Sequence, residues 1–234
     1  MNWLFLFLFG LCMGSFINCL VYRVNHGLSF WKGRSVCPKC KHQLAWKDNL
    51  PLLSFLFLRG KCRYCHSPIS WQYPLVELAA GILSLIFFPN WFYVFIAYVL
   101  LAIFVSDLRY MIVPDEVLLP AIVVAFLITP RNLVPGLATA GFFYLLNLIT
   151  HKKGMGLGDM KLAGLMGLVL GWPALAIALY LSFLTGALVG VILVLGKKKK
   201  FKSQIAFGPF LCASTFITLI WGEKIWTVVK MVFP

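Results

Sequence analysis

Two acids are the residues of this chain best placed to do chemistry. Asp159 stands in the stretch Gly154-Met155-Gly156-Leu157-Gly158-Asp159-Met160-Lys161, between two long apolar segments. Asp107 closes the apolar run Ile103-Phe104-Val105-Ser106. The whole 234-residue sequence holds only seven Asp and Glu. A carboxyl group at a membrane edge is costly if it enters hydrocarbon unpaired, so acids kept there are read first as functional. Two carboxyls within hydrogen-bond distance do not both ionise cheaply and titrate as one pair with a shared proton. The ionised member can take a proton from water while the neutral member polarises a carbonyl, which is acid–base hydrolysis. Gly154, Gly156 and Gly158 remove three side chains before Asp159 and let a second backbone lie close. The spacing alone leaves a plainer reading open, with Asp159 capping a helix and Asp107 reaching out to the surface.

Four cysteines form a second set. Cys37-Pro38-Lys39-Cys40 and Cys62-Arg63-Tyr64-Cys65 are paired Cys-x-x-Cys turns with 21 residues between them. Each pair can grip one tetrahedral ion through two thiolates, and four sulfurs leave no open position, so zinc held there is structural. The interval slightly exceeds the usual zinc-ribbon one, a difference a loop absorbs. Disulfides are the competing reading, and a reducing cytoplasm disfavours them. Cys12, Cys19 and Cys212 stand singly in apolar segments and read as small buried hydrophobes.

Membrane helices must position these residues. The chain is 61% hydrophobic and 12% charged, with a mean hydropathy of +0.90, whereas soluble domains carry about 25% charged residues. The expected spans are 2–22, 73–88, 91–106, 117–129, 133–150, a hairpin over 162–196 broken at Gly171-Trp172-Pro173, and 207–221 with an external tail. No basic residue precedes the first span and no small-residue cleavage site ends it, so it reads as a membrane helix rather than a cleaved signal. The fold class is thus an all-α polytopic membrane protein of about eight transmembrane helices with a small cytoplasmic, zinc-ribbon-like cysteine domain. Residues 1–22 form the first helix, 23–73 the four-cysteine domain, and 74–234 the helical membrane domain. The 23–73 loop buries little core by itself, and a metal offsets that deficit. No internal repeat is visible.

The net charge of +14 does not imply nucleic acid. Of the 21 Lys and Arg, all but Arg131, Lys224 and Lys230 fall in loops on one side of that topology. This positive-inside pattern orients the chain and needs no acidic polymer as partner. Lys197 to Lys200 read as a topological stop. The spans after Asp107 and Asp159 are short, which favours local bilayer thinning over tilt.

Three other acids have structural readings. Glu77 falls in the expected first turn of the second span, where the helix dipole favours an anion, against a role in a second site. Asp115, directly after Pro114, is an expected N-cap, with Glu116 at the same positive end. Asp107 lies at the unfavourable end of its helix and has no such explanation. Gly14, Ser15 and Asn18 recur at helical spacing as a small-residue packing face with hydrogen-bonding side chains.

Gly156-Leu157-Gly158-Asp159-Met160-Lys161 resembles the Gly-x-Gly-Asp signature of the type IV prepilin peptidases, and Asp107 through Pro114-Asp115 resembles its companion motif. The likeness extends over nearly the whole chain, through Gly14-Ser15-Phe16, Tyr22-Arg23, both Cys-x-x-Cys turns, Asn49-Leu50-Pro51, Tyr73-Pro74-Leu75-Val76-Glu77 and Phe207-Gly208-Pro209-Phe210. One departure is Val24-Asn25, where a proline is usual. The resemblance implies a bifunctional enzyme of the bacterial inner membrane. It implies cleavage of basic leaders from type IV prepilins or pseudopilins, after glycine at the cytoplasmic face, with Asp107 and Asp159 catalytic. Gly156, Gly158, Lys161 and Asp115 support that site, and Cys37, Cys40, Cys62 and Cys65 are the metal ligands. It further implies N-methylation of the new amino terminus from S-adenosylmethionine, associated with the N-terminal half. Leader and loops are both basic, so anionic membrane lipids rather than charge attraction would bring them together. Two readings from other classes compete: a non-catalytic membrane scaffold with a zinc-ribbon docking module, and a proton-coupled transporter using the acids as a relay.

Overall fold

The computed structural model describes residues 2–29, 33–150, 156–196 and 206–232. Gly154, the basic turn at 151–153 and the Lys197–Lys200 stop lie outside the described residues. Among them the fold is all helical: α1 (Trp3–Asn25), α2 (Leu53–Phe57), α3 (Gln72–Phe87), α4 (Trp91–Tyr110), α5 (Asp115–Ile128), α6 (Leu133–Ile149), α7 (Leu157–Leu170), α8 (Ala174–Leu195) and α9 (Gly208–Val232). All are largely apolar, α2 having only five residues. Among the described residues, four helical stretches, Trp3–Asn25, Trp91–Tyr110, Pro130–Ile149 and Ala174–Leu193, are long and apolar enough to cross a membrane.

The chain divides into two compact units, Met1–Ala102 and Ile103–Pro234. In the first, α1 and α3 pack through small residues. A Cβ on Gly14 would lie 2.5 Å from Glu77 Cα and 2.9 Å from the Val76 carbonyl oxygen. The two backbones therefore meet where Gly14 removes the side chain. Asn18, one turn further along α1, donates to the Tyr73 carbonyl at 3.1 Å. The Ser84 and Tyr98 hydroxyls, 2.6 Å apart, join α3 to α4.

In the second unit α7 is the buried helix. Gly136 of α6 meets Gly167 of α7 so closely that a Cβ on Gly167 would stand 2.7 Å from Gly136 Cα. At the far end of α7, Thr129 and Asn132 both donate to the Leu168 carbonyl at 2.9 Å. Both α5 and α7 have 14 residues. At 1.5 Å per residue such a helix reaches about 21 Å, short of a hydrocarbon core of about 30 Å.

Several boundaries differ from the sequence expectation. Helix α4 continues past Asp107 to Tyr110, and α7 begins at Leu157, which puts Asp159 inside a helix rather than before one. Helix α9 runs on from Trp221 to Val232. Glu223, Lys224 and Lys230 end the apolar run but not the helix, because Glu and Lys are good helix formers. Glu77 lies beyond the first turn of α3, which contains no acid, so the dipole does not account for it. The sequence displays no repeat, yet the cysteine loop contains two copies of one turn, described below.

Candidate functional site

Asp107 sits in the last turn of α4, 5% exposed. The helix ends at Met111, whose left-handed backbone (φ 56°) turns the chain away. Its N–H still bonds back to the Asp107 carbonyl at 3.0 Å. The Ser106 hydroxyl donates to the Ile112 carbonyl at 2.8 Å and fixes that turn. The positive end of the Gly208 N–H, at the start of α9, faces the Asp107 carboxyl. Oxygen Oδ2 of Asp107 is buried with no hydrogen-bond partner among the described residues. A Cβ on Gly208 would stand 2.6 Å from that oxygen, so only glycine brings this N-terminus so near.

Asp159 is the third residue of α7, and its Oδ2 accepts the Gly156 N–H at 3.3 Å. This is the carboxylate half of a capping box; Gly156 has no side chain to supply the other half. The plainer reading of Asp159 thus holds in part, since it does close the helix start. The structure also brings Asp107 and Asp159 within range of each other's charge. Cys212, fully buried one turn along α9 from Gly208, lies within range of both. Asp107 does not snorkel outward.

Gly158 is tight and Gly156 is open. A Cβ on Gly158 would stand 2.8 Å from Val113 Cβ, in the link between α4 and α5. The close approach there comes from a side chain rather than a backbone. Among the described residues, a Cβ on Gly156 would meet nothing nearer than 3.7 Å, and that contact is Asp159 itself.

Asp115 is not the N-cap of α5. Pro114 occupies that position, and Asp115 is the first helical residue, with no side-chain cap bond. Its carboxylate instead accepts both hydrogen bonds of a bidentate contact with Lys161 Nζ, each 2.8 Å. A helix already started by proline leaves the acid free to reach α7, two residues beyond Asp159. Sequence reasoning missed Gly208 and Cys212 as neighbours of the acid pair. The available signal was the Gly208-Pro209 pair, which marks a helix start with little side-chain bulk.

The four cysteines of the first unit converge. Their Sγ atoms all lie within 4.8 Å of one another, with Cys37 and Cys65 3.9 Å apart. A tetrahedral ion with Zn–S bonds of about 2.3 Å sets sulfurs about 3.8 Å apart, so the residues fit zinc. Each pair sits on the same turn. Cys37 N–H bonds to the His42 carbonyl and Lys41 N–H to Cys37; Cys62 N–H bonds to the Ser67 carbonyl and His66 N–H to Cys62. Lys41 and His66 are both left-handed, at φ 58° and 55°. Asp48 buttresses the second turn, accepting from Arg63 Nε at 2.7 Å, Tyr64 Oη at 3.2 Å and Ala45 N–H at 3.1 Å. Ser67, whose hydroxyl is 3.1 Å from Cys65 Sγ, holds that thiol's pKa down at about 6. At Cys40 the backbone hydrogen bond at His42 favours the thiolate. Burial and the sulfurs of Cys37 and Cys65 outweigh it and push the thiol up to about 11. Four adjacent thiols resist joint ionisation unless a cation sits among them.

Two family models cover most of the chain. Residues 8–91 match the bacterial peptidase A24 N-terminal domain, and residues 94–191 match the type IV leader peptidase family. Similar proteins include the prepilin leader peptidase/N-methyltransferases of Aeromonas hydrophila, at 35% identity over 95% of this chain and 93% of that one, and of Bacillus subtilis, at 39% over 94% of each. That of Pseudomonas aeruginosa is 32% identical over 93% of this chain and 90% of its own. No solved structure matches. The acid pair, the cysteine cluster and the relatives along nearly its full length agree, and the chain belongs to the type IV leader peptidase family.

Proposed function

We propose that this protein is a membrane-embedded aspartic endopeptidase. It removes the leader of type IV prepilins or pseudopilins after glycine at the cytoplasmic face, then N-methylates the new amino terminus. The observation that carries the peptidase reading is the convergence of two backbone-held carboxyls, Asp107 and Asp159, in one helical unit. The pair shares one proton. The ionised carboxyl takes a proton from water as the water oxygen bonds to the glycine carbonyl carbon. The neutral carboxyl donates to the carbonyl oxygen. Collapse breaks the C–N bond, and the leaving nitrogen takes up a proton to become the new amino terminus. The Gly208 and Gly156 N–H groups orient the two carboxyls, while the open space at Gly156 gives an extended substrate room beside Asp159.

Lys161 and Asp115 join the starts of α7 and α5 and support the site from outside. Residues 23–73 form the cytoplasmic metal-binding domain between the first helix and the 74–234 peptidase domain. Cys37, Cys40, Cys62 and Cys65 would hold zinc there, supplying a structural cross-link and no chemistry. S-adenosylmethionine would supply the methyl group when bound. Both activities place the protein in the bacterial inner membrane, with anionic lipid as the surface on which basic leader and basic loops meet.

Mass spectrometry of a co-expressed prepilin tests the whole reading. Loss of the leader plus the mass of one methyl group is expected with this protein and neither change without it. A scaffold or transporter would leave the prepilin at full length.

A further inference from the structure

Glu77 is 8% exposed within the first unit, and the peptidase chemistry does not use it. The Leu52 N–H donates to its Oε2 at 2.8 Å, and Ser15 of α1 hydrogen-bonds the same carboxyl. Leu52 reaches it from the cysteine loop with a left-handed backbone at φ 58°, a conformation costly for a leucine. Both donors are neutral. An ionised carboxylate offers about four acceptor positions, and these contacts fill two. Among the described residues no Lys or Arg pairs with Glu77, in a chain with 21 of them. A buried carboxylate without a countercharge is unfavourable, so it stays ionised only when a cation arrives and otherwise takes up a proton.

A second group points the same way. Asn18 is 4% exposed, and its Oδ1 is buried with no hydrogen-bond partner among the described residues. Its Nδ2 donates to the carbonyl of Tyr73, one turn before Glu77 on α3, and Ser15 lies one turn before Asn18 on α1. The seam where α1 meets α3 thus offers a carboxylate and an orphaned amide oxygen, both acceptors. Orphaned acceptors call for a donor. A primary ammonium group brings three N–H donors and the missing positive charge.

We propose that Glu77, with Asn18 and Ser15, receives the free amino terminus of the cleaved product, and that Glu77 takes the proton this amine must lose before methylation. The proposal rests on the N-methyltransferase reading. In the step, the ammonium gives one proton to the Glu77 carboxylate, leaving a neutral amine and a neutral carboxylic acid. The amine lone pair bonds to the methyl carbon of the sulfonium donor. The carbon–sulfur bond breaks with its electron pair on sulfur, and the products are a methylammonium, a neutral sulfide and protonated Glu77. The full-length uncleaved precursor has no amine at this point and would not be a ligand.

Glu77→Gln tests this in the full-length protein, since it keeps the size of the side chain and an acceptor for Leu52. Purified protein would first be given a mature-sequence peptide with a free amino terminus and the same peptide N-acetylated, with no methyl donor present. The wild type should bind the free amine at least tenfold more tightly. Glu77→Gln should bind both alike, and Asn18→Ala should show a smaller loss of discrimination. With donor added, Glu77→Gln should lose at least 100-fold in methylation while leader cleavage stays within about threefold of wild type. Discrimination and methylation unchanged in Glu77→Gln would overturn the proposal. So would equal loss of cleavage, methylation and bound metal, which would make Glu77 an anchor for the cysteine loop. A wild type that cleaves and never methylates would overturn the methyltransferase reading and this proposal together.

Discussion

The acids of the two units fall into the same two kinds. In each unit one acid is tied to a cation: Asp48 to Arg63 in the first, Asp115 to Lys161 in the second. In each unit, too, acids that are buried or half-buried are held by neutral groups: Glu77 by the Leu52 N–H and Ser15, Asp107 and the half-buried Asp159 by Gly208 and Gly156. The remaining two, Glu116 and Glu223, are exposed. A carboxylate paired with Lys or Arg has spent its charge on holding two segments together. One held only by neutral donors keeps its charge and its proton available for a substrate. On the proposed function, partner type, more than burial alone, separates working acids from structural ones, since Asp48 too has a side chain only 3% exposed.

Breaking the second kind should do most damage. Asp107→Asn and Asp159→Asn keep shape and hydrogen-bonding but cannot exchange the shared proton, so each should lower leader cleavage by about 10²–10⁴-fold or more. Gly208→Ala should follow, because its Cβ would press on Asp107 Oδ2. A displaced carboxyl costs on the order of 10²-fold in rate, read as a fall in kcat with the protein still inserted. The two glycines before Asp159 sharpen the contrast. Gly158→Ala should destabilise the protein by about 1–3 kcal/mol through its clash with Val113, seen as a lower Tm. Gly156→Ala should leave Tm unchanged and raise KM, because the space it fills belongs to the substrate.

The structural acids should matter less. Asp115→Asn weakens a half-exposed pair worth about 0.2–1 kcal/mol and should keep cleavage within a few-fold of wild type. Asp48→Asn should loosen the second cysteine turn, measured as faster proteolysis after Arg59. The sign of its pH dependence is fixed. Burial disfavours the charged form, but hydrogen bonds from Arg63, Ala45 and Tyr64 outweigh it and hold the Asp48 carboxyl below its usual range. Its contribution is therefore complete above the ordinary carboxylate pKa and is lost only as pH falls through the depressed value. The variant should differ from wild type equally at pH 5.5 and 7.5. Any loosening of the wild-type loop across that interval would come from protonation of the four cysteine sulfurs, which would release a metal held there.

Much of the membrane frame was legible because apolar runs and basic turns report directly on a bilayer. Asp107 and Asp159 stood out as candidates because acids are so rare here, and the structure brings the two near each other. What escaped had local causes. Asp115 was read as a cap because Asp favours that position, but Pro114 already starts the helix. Asp159 was placed outside its helix because polar residues mark loops, yet the first turn tolerates an acid that bonds back to Gly156. Glu77 was assigned to the dipole of a helix that starts at Gln72 and whose first turn ends before it. Gly208 left no trace beyond a Gly-Pro pair, since a backbone N–H aimed at a distant carboxyl has no signature in sequence. The two cysteine turns repeat in backbone and not in side chains; Lys41 and His66 share a left-handed conformation and little else.

The division of acids is tested most directly by following leader release from prepilin in membranes by Asp107→Asn, Asp159→Asn and Asp115→Asn side by side. The account predicts no product from the first two and near-normal release from the third, with all three proteins inserted to the same level. Full activity in Asp107→Asn with none in Asp115→Asn would contradict it, and would move the working pair to Asp115 and Asp159.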